Sequence, residues 1–588
     1  MRSRQCVLRS PPFPGVKPDT GALSAPGAVP LDAILTACSQ TVLAPAMIDR
    51  ATALQRAMVE QRVGGSFWDP YVAHEIISPI VLRPADMGQA QAMLAASAEI
   101  GSRRCLAVLP ATRWAKGAAM LFEREGVEVH VGPTDPWSLL SGADSLHADG
   151  NDELIFLALL AGIRVRTVSS GLFAGWGLTE DAPGVATKGK LDLLRLIHAM
   201  LIEGATYRNC FTSEAMTAEE TIAQLGFWRQ GIDANRGIAA ACGIAWWKRR
   251  EIRAFLWDGS DSPLHFHRRA RPAVRTAAMR RADIAVWPSR APAGLDAAAA
   301  EAQVPVRQVE DGFIRSVGLG SALHPPLSIV VDRKGIYYDP TRPSDLETLL
   351  SETRFSQELL DRAERLISVI VAAGISKYAS GRGRFTDIPA EGRRVLVTGQ
   401  VEDDRSVLLG GGGVAGNLDL VRRARAAEPD AYIIFKPHPD VEAGHRKGAV
   451  ADAVILRFAD RIVRDAAMPA LLDAVDAVHV WTSLAGFEAL LRGREVFTHG
   501  QPFFAGWGLT TDLGPPVARR TRRLSVTELV TGALILYPRY LDPMTLLPCA
   551  PEILIARLAQ SGGAQRTLLT ELRRLQGRMR VRLAGRAV

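Results

Sequence analysis

FAGWGLTED (173–181) recurs 331 positions later as FAGWGLTTD (504–512), with eight of nine residues identical. Carried backwards at the same offset, HADGNDELIFLALLAGIRVRTV (147–168) aligns with VHVWTSLAGFEALLRGREVFTH (478–499). Phe156 meets Phe487, Leu159-Leu160 meets Leu490-Leu491, and Gly162 meets Gly493. Forwards, with the offset widened by two, KLDLLRLIHAMLIEGATY (190–207) matches RLSVTELVTGALILYPRY (523–540). Each copy reads as strand, turn, helix, glycine stop, short strand and then the nonapeptide loop. A register this long marks a duplicated α/β unit.

The copies differ in what precedes them. Ahead of the second lies a long series of apolar, β-branched runs: RRADIAVWPSR (280–290), VPVRQVEDGFIRSVGLG (304–320), PLSIVVDRKGIYYD (326–339), RRVLVTGQVEDDRSV (393–407) and AYIIFKPHPDV (431–441). They alternate with helical patterns such as 356–373, which predicts parallel sheets covered on both faces. Ahead of the first copy stand a Pro/Gly-rich opening (11–30) and one strand–helix stretch, 103–132, in the place of AYIIFKPHPDV but without its His-Pro. The expected organisation is a flexible N-terminus (1–30), a truncated, degenerate copy of a C-terminal lobe (31–230), two Rossmann-like lobes (235–380 and 385–545) and a basic helical tail (546–588).

Bulk properties narrow the function classes. Of 588 residues 47 % are hydrophobic and 22 % charged, enough to bury several cores. The net charge of +8 suits an anionic ligand or membrane surface, or plain solubility. Six cysteines without a CxxC pair argue against a disulfide framework or zinc site and for a reducing compartment. The N-terminus lacks the apolar core of a signal peptide, and no run approaches the roughly 18 apolar residues of a membrane span. The expected location is cytoplasmic, with contact to the inner-membrane surface.

Ligands of open α/β sheets sit beyond the carboxyl ends of strands, so the loops after strands carry the candidates. GQVEDDRS offers Gln400, Asp403, Asp404 and Ser406, either as nucleophile, base or metal ligand or as a helix cap. FKPHPD holds Lys436 and His438 between prolines, a cationic pair suited to phosphate. WTSLAGFEALL presents Thr482 and Ser483 at a helix start, with Glu488 farther along. In the first copy these three positions are Asn151, Asp152 and Leu157, so the fold persists and the phosphate-friendly groups do not. EDGFIRS places Glu310, Asp311 and Arg315 after a strand of the other lobe, as reacting groups or a surface ion pair. Gly410–Gly413 lacks the GKS/T of a Walker loop, and no HExxH or GxSxG pattern occurs.

The ordered series EDGFIRSVGLG, PPLSIVVDRKGIYYDPTRPSDLE, SKYASGR, GQVEDDRSV, KPHPDVEAG, TSLAGFEALLRG and PFFAGWGLTTD resembles the KpsC/LipA family of capsule polysaccharide proteins, densely over 280–545 and partially over the first copy. The resemblance implies a two-lobed, GT-B-like retaining β-Kdo transferase. Its donor would be CMP-β-Kdo and its acceptor a (lyso)phosphatidylglycerol-linked oligo-Kdo chain, with capsule biosynthesis and export proteins as partners. No cofactor, metal or nucleic acid is called for. Typical members carry two catalytic domains; here only the second unit resembles a whole one, which predicts a single active site. The family's Gln-x-x-x-Asp pattern maps onto Gln400 and Asp404, making Asp404 the expected nucleophile and Asp403 its rival. Lys436, His438, Thr482, Ser483, Ser406 and Arg315 would hold the donor phosphate, Glu488 the nucleotide, and Glu310 or Asp311 would be the base. The competing reading is a catalytically dead scaffold of a capsule-export complex.

Overall fold

Both copies of the repeat close into six-stranded parallel sheets with one and the same strand order. The computed structural model describes residues 7–17, 21–72, 74–100, 104–314, 325–376, 385–389 and 391–560. The chain divides into one unit of residues 1–236 with 256–263 and a second of 237–255 with 264–588.

In the first unit, β1 (Ser24–Pro26) precedes β2 (Ile80–Arg83), β3 (Cys105–Leu109), β4 (Glu128–Val131), β5 (Ser145–Ala148), β6 (Arg164–Thr167) and β7 (Glu180–Asp181), with β8 (Ala205–Arg208) and β9 (Ala215–Met216) behind. The sheet order is β4-β3-β2-β5-β6-β7. Apolar runs such as Cys105–Leu109 are buried throughout, as strands covered on both faces must be. The copy therefore holds all six strands; what it lacks, among the described residues, is a partner lobe like that of the second unit. The stretch 1–30, expected to be flexible, is tied down where it is described. Leu8 and Leu23 are fully buried, and β1 pairs antiparallel with β8.

The second unit opens with β10 (Ile238–Cys242), β11 (His265–His267), β12 (Asp283–Val286), β13 (Val306–Asp311) and β14 (Ser328–Asp332). Its second sheet follows as β15 (Arg394–Thr398), β16 (Tyr432–Lys436), β17 (Arg461–Ile462), β18 (Ala477–Val480), β19 (Glu495–Thr498) and β20 (Thr511–Asp512), ordered β17-β16-β15-β18-β19-β20. The chain then returns to the first sheet as β21 (Arg539–Leu541) and β22 (Pro548–Cys549), completing the order β11-β10-β12-β13-β14-β21-β22. The boundary expected at 545 is thus misplaced. Leu541, Leu547 and Cys549 are wholly buried, and helix Pro551–Gln560 is fastened to helix Gln357–Ala372 by an Arg362–Glu552 pair at 2.7 Å. The run 326–339 also divides. Asp332 Oδ1 accepts from the N–H groups of Lys334 and Gly335, an Asx turn that ends β14 and sends Tyr337-Tyr338 into a loop.

The nonapeptide is the same structural clasp in both units. Gly175 and Gly177 have φ of 85° and 76°, and Gly506 and Gly508 have 86° and 77°, values that favour glycine. Asp181 accepts from Thr167 Oγ1 (2.7 Å), Thr179 Oγ1 (2.7 Å) and Gly175 N (2.9 Å). Asp512 accepts from Thr498 Oγ1 (2.8 Å), Thr510 Oγ1 (2.6 Å) and Gly506 N (2.9 Å). Trp176 and Trp507 are buried, each donating its indole N–H at 2.8 Å to the carbonyl four residues back. Only the second copy adds Arg520, which holds the Pro502 and Ala505 carbonyls and pairs at 3.2 Å with Glu347 from the first lobe.

Candidate active site

In the order β17-β16-β15-β18-β19-β20 the winding reverses between β15 and β18. The loops leaving their carboxyl ends diverge there, which opens the crevice where such sheets bind ligands. Gln400 follows β15 and Thr482 follows β18, and they grip each other across the switch point. Gln400 Nε2 donates to Thr482 Oγ1 at 2.9 Å, and Thr482 N donates to Gln400 Oε1 at 2.7 Å. Thr482 Oγ1 in turn donates to Ser406 Oγ (3.2 Å), and Ser406 Oγ to Asp404 Oδ2 (2.6 Å). A directed chain of hydrogen bonds thus ends on one carboxylate. Behind it, buried Asn417 accepts from Gln400 N and donates to Gln400 O, both at 2.8 Å, fixing the loop.

The two candidate aspartates stand in different environments. Asp404 caps helix Arg405–Gly410; its recorded bonds fall on Oδ2, so Oδ1 takes none among the described residues. Asp403 is half-exposed and pairs at 3.2 Å with Arg446. Opposite Asp404, the first lobe contributes Glu310 and Asp311 at the end of β13. Lys248 is 3.3 Å from Asp311 Oδ1 and 3.4 Å above the Trp287 ring. Tyr337 and Tyr338 lie between the lobes: burial raises both phenols, and the negative charges of Glu310 and Asp404 push them further. Arg405 also acts on Tyr338 and reaches the Pro288 carbonyl at 3.4 Å. An aromatic cluster backs this meeting point, with Phe313 and Phe503 ring centroids 4.4 Å apart. Tyr337, Tyr338, Arg405 and Asn417 were not among the expected site residues, although GIYYD lay inside a quoted motif.

The expected phosphate ligands separate. Ser483 caps helix Leu484–Leu490 by accepting from Ala485 N, which leaves its O–H available as a donor. Thr482 differs, because its one hydroxyl proton goes to Ser406. His438 Nδ1 accepts from Asp440 N, fixing the proton on Nε2. Lys436 is buried, its ammonium held by the Arg464 carbonyl at 2.9 Å, and burial lowers its pKa. Glu488 is buried in its helix. Arg315 with the rest of its motif to residue 320, and residues 377–382 of SKYASGR, lie outside the described residues.

At the corresponding switch point of the first unit, between β2 and β5, Arg83 donates to Asp152 at 2.8 Å. The carboxylate sits at the helix start where the second copy has Ser483, and its neighbouring cation neutralises it. An anion would have to displace a carboxylate from that place. The strands also revise the alignment. Leu82 pairs with His147 and Val397 with His479, so the strand offset is 332, and the first copy carries one extra residue before its helix. His147 and His479 are equivalents, both buried and both lowered in pKa by burial.

Residues 282–391 and 384–540 match the family described as "Capsule polysaccharide biosynthesis protein". The capsule polysaccharide modification protein LipA of Neisseria meningitidis serogroup A is 37 % identical over 432 residues, 72 % of this chain and 61 % of LipA. The chain belongs to the KpsC/LipA family. It spans about three fifths of the length of that meningococcal relative. A solved chain of Thermosulfurimonas dismutans KpsC, titled a beta Kdo 2,7 transferase, is 34 % identical and is covered over 99 % of its length and 55 % of this chain, with a TM-score of 0.45. A second, titled a beta Kdo 2,4 transferase, is 38 % identical over 86 % of its length and 47 % of this chain, with a TM-score of 0.43. No helix among the described residues is long and apolar enough to cross a membrane.

Proposed function

We propose that this member of the family is a glycosyltransferase with one active site, in the second unit. It moves Kdo from CMP-β-Kdo, with retention, onto a (lyso)phosphatidylglycerol-linked oligo-Kdo acceptor during capsule biosynthesis. The observation that carries the reading is the hydrogen-bond chain across the switch point, which ends on Asp404 Oδ2 and leaves Oδ1 to attack. Membership of the capsule polysaccharide family supports the choice of donor.

Retention by double displacement forms a bond from Asp404 Oδ1 to the anomeric carbon as CMP leaves with the bonding pair. His438 and Ser483, with Lys436 behind them, stabilise the departing phosphate. Glu310 or Asp311 takes the proton of the acceptor hydroxyl, which then displaces Asp404 from the opposite face. The first unit, its switch point closed by Arg83 and Asp152, serves structure.

The test is incubation with CMP-Kdo generated in situ and synthetic β-Kdo acceptor lipids of both linkage types, read by mass spectrometry. Extension by the parent protein and Asp403→Ala, and its loss in Asp404→Ala, is the expected outcome. No extension on either acceptor refutes the transferase reading and favours an inactive scaffold of the export complex. Full activity in Asp404→Ala refutes the nucleophile.

A further inference from the structure

The net positive charge of this chain is concentrated in two stretches around the outer strands β10 and β11 of one sheet. Residues 237–255 and 264–281 contain ten lysines and arginines and a single acid, Glu251, against a net charge of +8 for the whole chain. Outside these stretches the sequence carries 60 basic and 61 acidic residues. β10 and β11 are parallel neighbours, so the loops after them emerge on the same side. One opens helix Arg249–Phe255; the other, Arg268-Arg269, opens helix Ala270–Met279. The two segments form one surface, since the guanidiniums of Arg249 and Arg253 lie 5.1 and 5.0 Å from the Phe266 ring on β11.

Arg250, Arg253, Arg268, Arg269, Arg271 and Arg275 are exposed, and none forms an ion pair among the described residues, whereas Arg362, Arg394 and Arg519 elsewhere in this unit are paired with carboxylates. Trp246 stands beside them, 69 % exposed, at the same carboxyl edge. We propose that this edge is a docking face for an anionic lipid bilayer. The arginines spread over two helix starts rather than converging on one point, as a site for a single phosphate or carboxylate would. An indole presented to water among guanidiniums is the composition of an interfacial anchor, with the ring at headgroup depth and the cations on lipid phosphates. The same carboxyl edge bears Glu310 and Asp311, so docking would bring the crevice to the membrane plane. The inference goes beyond the proposed transfer reaction and stands without it.

The test is co-sedimentation of the full chain with phosphatidylcholine vesicles with and without 30 % phosphatidylglycerol, a composition chosen on the order of a charged leaflet. Each exposed arginine near such a surface raises partitioning about fivefold. The quadruple variant Arg250→Gln, Arg268→Gln, Arg269→Gln, Arg271→Gln should therefore bind anionic vesicles at least about tenfold more weakly, and Trp246→Ala more weakly by a smaller factor. Binding of the parent should fall steeply with salt. Circular dichroism checks that the variants fold, and Arg573→Gln with Arg574→Gln serves as a control in the basic tail. Undiminished binding by the quadruple variant, or loss only in the tail control, overturns the proposal. So does equal binding to neutral vesicles, or a stronger preference for a duplex oligonucleotide. Loss of transfer to a soluble acceptor with vesicle binding intact would make the patch an acceptor site instead and equally overturns it.

Discussion

Replacing Thr482 by valine tests whether the hydrogen-bond chain positions Asp404. Valine keeps the shape of threonine and removes one oxygen. Two bonds vanish, from Gln400 Nε2 at 2.9 Å and to Ser406 Oγ at 3.2 Å, while Thr482 N to Gln400 Oε1 and Ser406 to Asp404 survive. Gln400 is 7 % exposed, so its amide is left with a buried, unmatched donor, a penalty of about 1–3 kcal/mol. If about half of that is felt where Asp404 is aimed, kcat falls about two- to tenfold. Because Thr482 gives its proton to Ser406 and none to a ligand, KM for the donor should change little. A cycle of Thr482→Val and Ser406→Ala should show coupling of about 0.5–1.5 kcal/mol, since each change breaks the same link. Steady-state kinetics with CMP-Kdo provide the assay. A rise in KM at unchanged kcat would mean that the hydroxyl serves the phosphate after all. Strict additivity in the cycle would mean that the link carries nothing, and either result refutes the argument.

Asp181→Ala and Asp512→Ala each orphan a fully buried threonine hydroxyl, Thr167 or Thr498, and should each destabilise their own unit by about 2–4 kcal/mol in chemical unfolding. Only the Asp512 change should also depress transfer. The buried pair His479 and His499, Nδ1 to Nε2 at 3.0 Å, gives a pH prediction. Burial pushes these rings down to about 3 and about 4, below their unfolded value of about 6.5. They are neutral when folded, so their stabilising effect is complete above about pH 6.5 and is lost as pH falls toward 4 and below, by about 1.4 kcal/mol per pH unit for each ring. His479→Leu should flatten that acid limb in melting experiments; an unchanged slope would contradict the account. Finally, Arg83→Met should lower the stability of the first unit by about 3 kcal/mol or more, because Asp152 keeps a partly buried charge without its partner. Transfer in the second unit should be unaffected.

The sequence revealed what repeats and what alternates. The register of Phe156 with Phe487 located a duplicated sheet, and the apolar runs 395–397 and 432–435 lay where β15 and β16 form. The missing residue in the alignment escaped because identical residues in the helix and nonapeptide fixed the offset at 331, leaving the strand one step out and separating His147 from His479. Gln400, Ser406, Thr482 and Asp404 were all visible as polar residues after strands. That Thr482 faces Ser406 rather than a phosphate depends on which way one proton points, a matter of folded geometry. Tyr337 and Tyr338 read as the end of a strand because only the Asx turn at Asp332 takes them out of it. The return of β21 and β22 to a sheet begun at residue 238 had no local signature, since strand pairing at long range leaves none in composition.

That return has a consequence for how the protein is made. The six strands of the second sheet span 394–512 without interruption and can close as soon as they leave the ribosome, whereas the first sheet waits for residue 549. About 207 residues separate β14 from its partner β21, a delay of roughly 10–40 s at ordinary translation speeds. Throughout it, β14 presents an unpaired edge that invites pairing with another nascent chain. The last strands are thus the seal on the first lobe, and a chain released before residue 539 would carry an open edge into the cell.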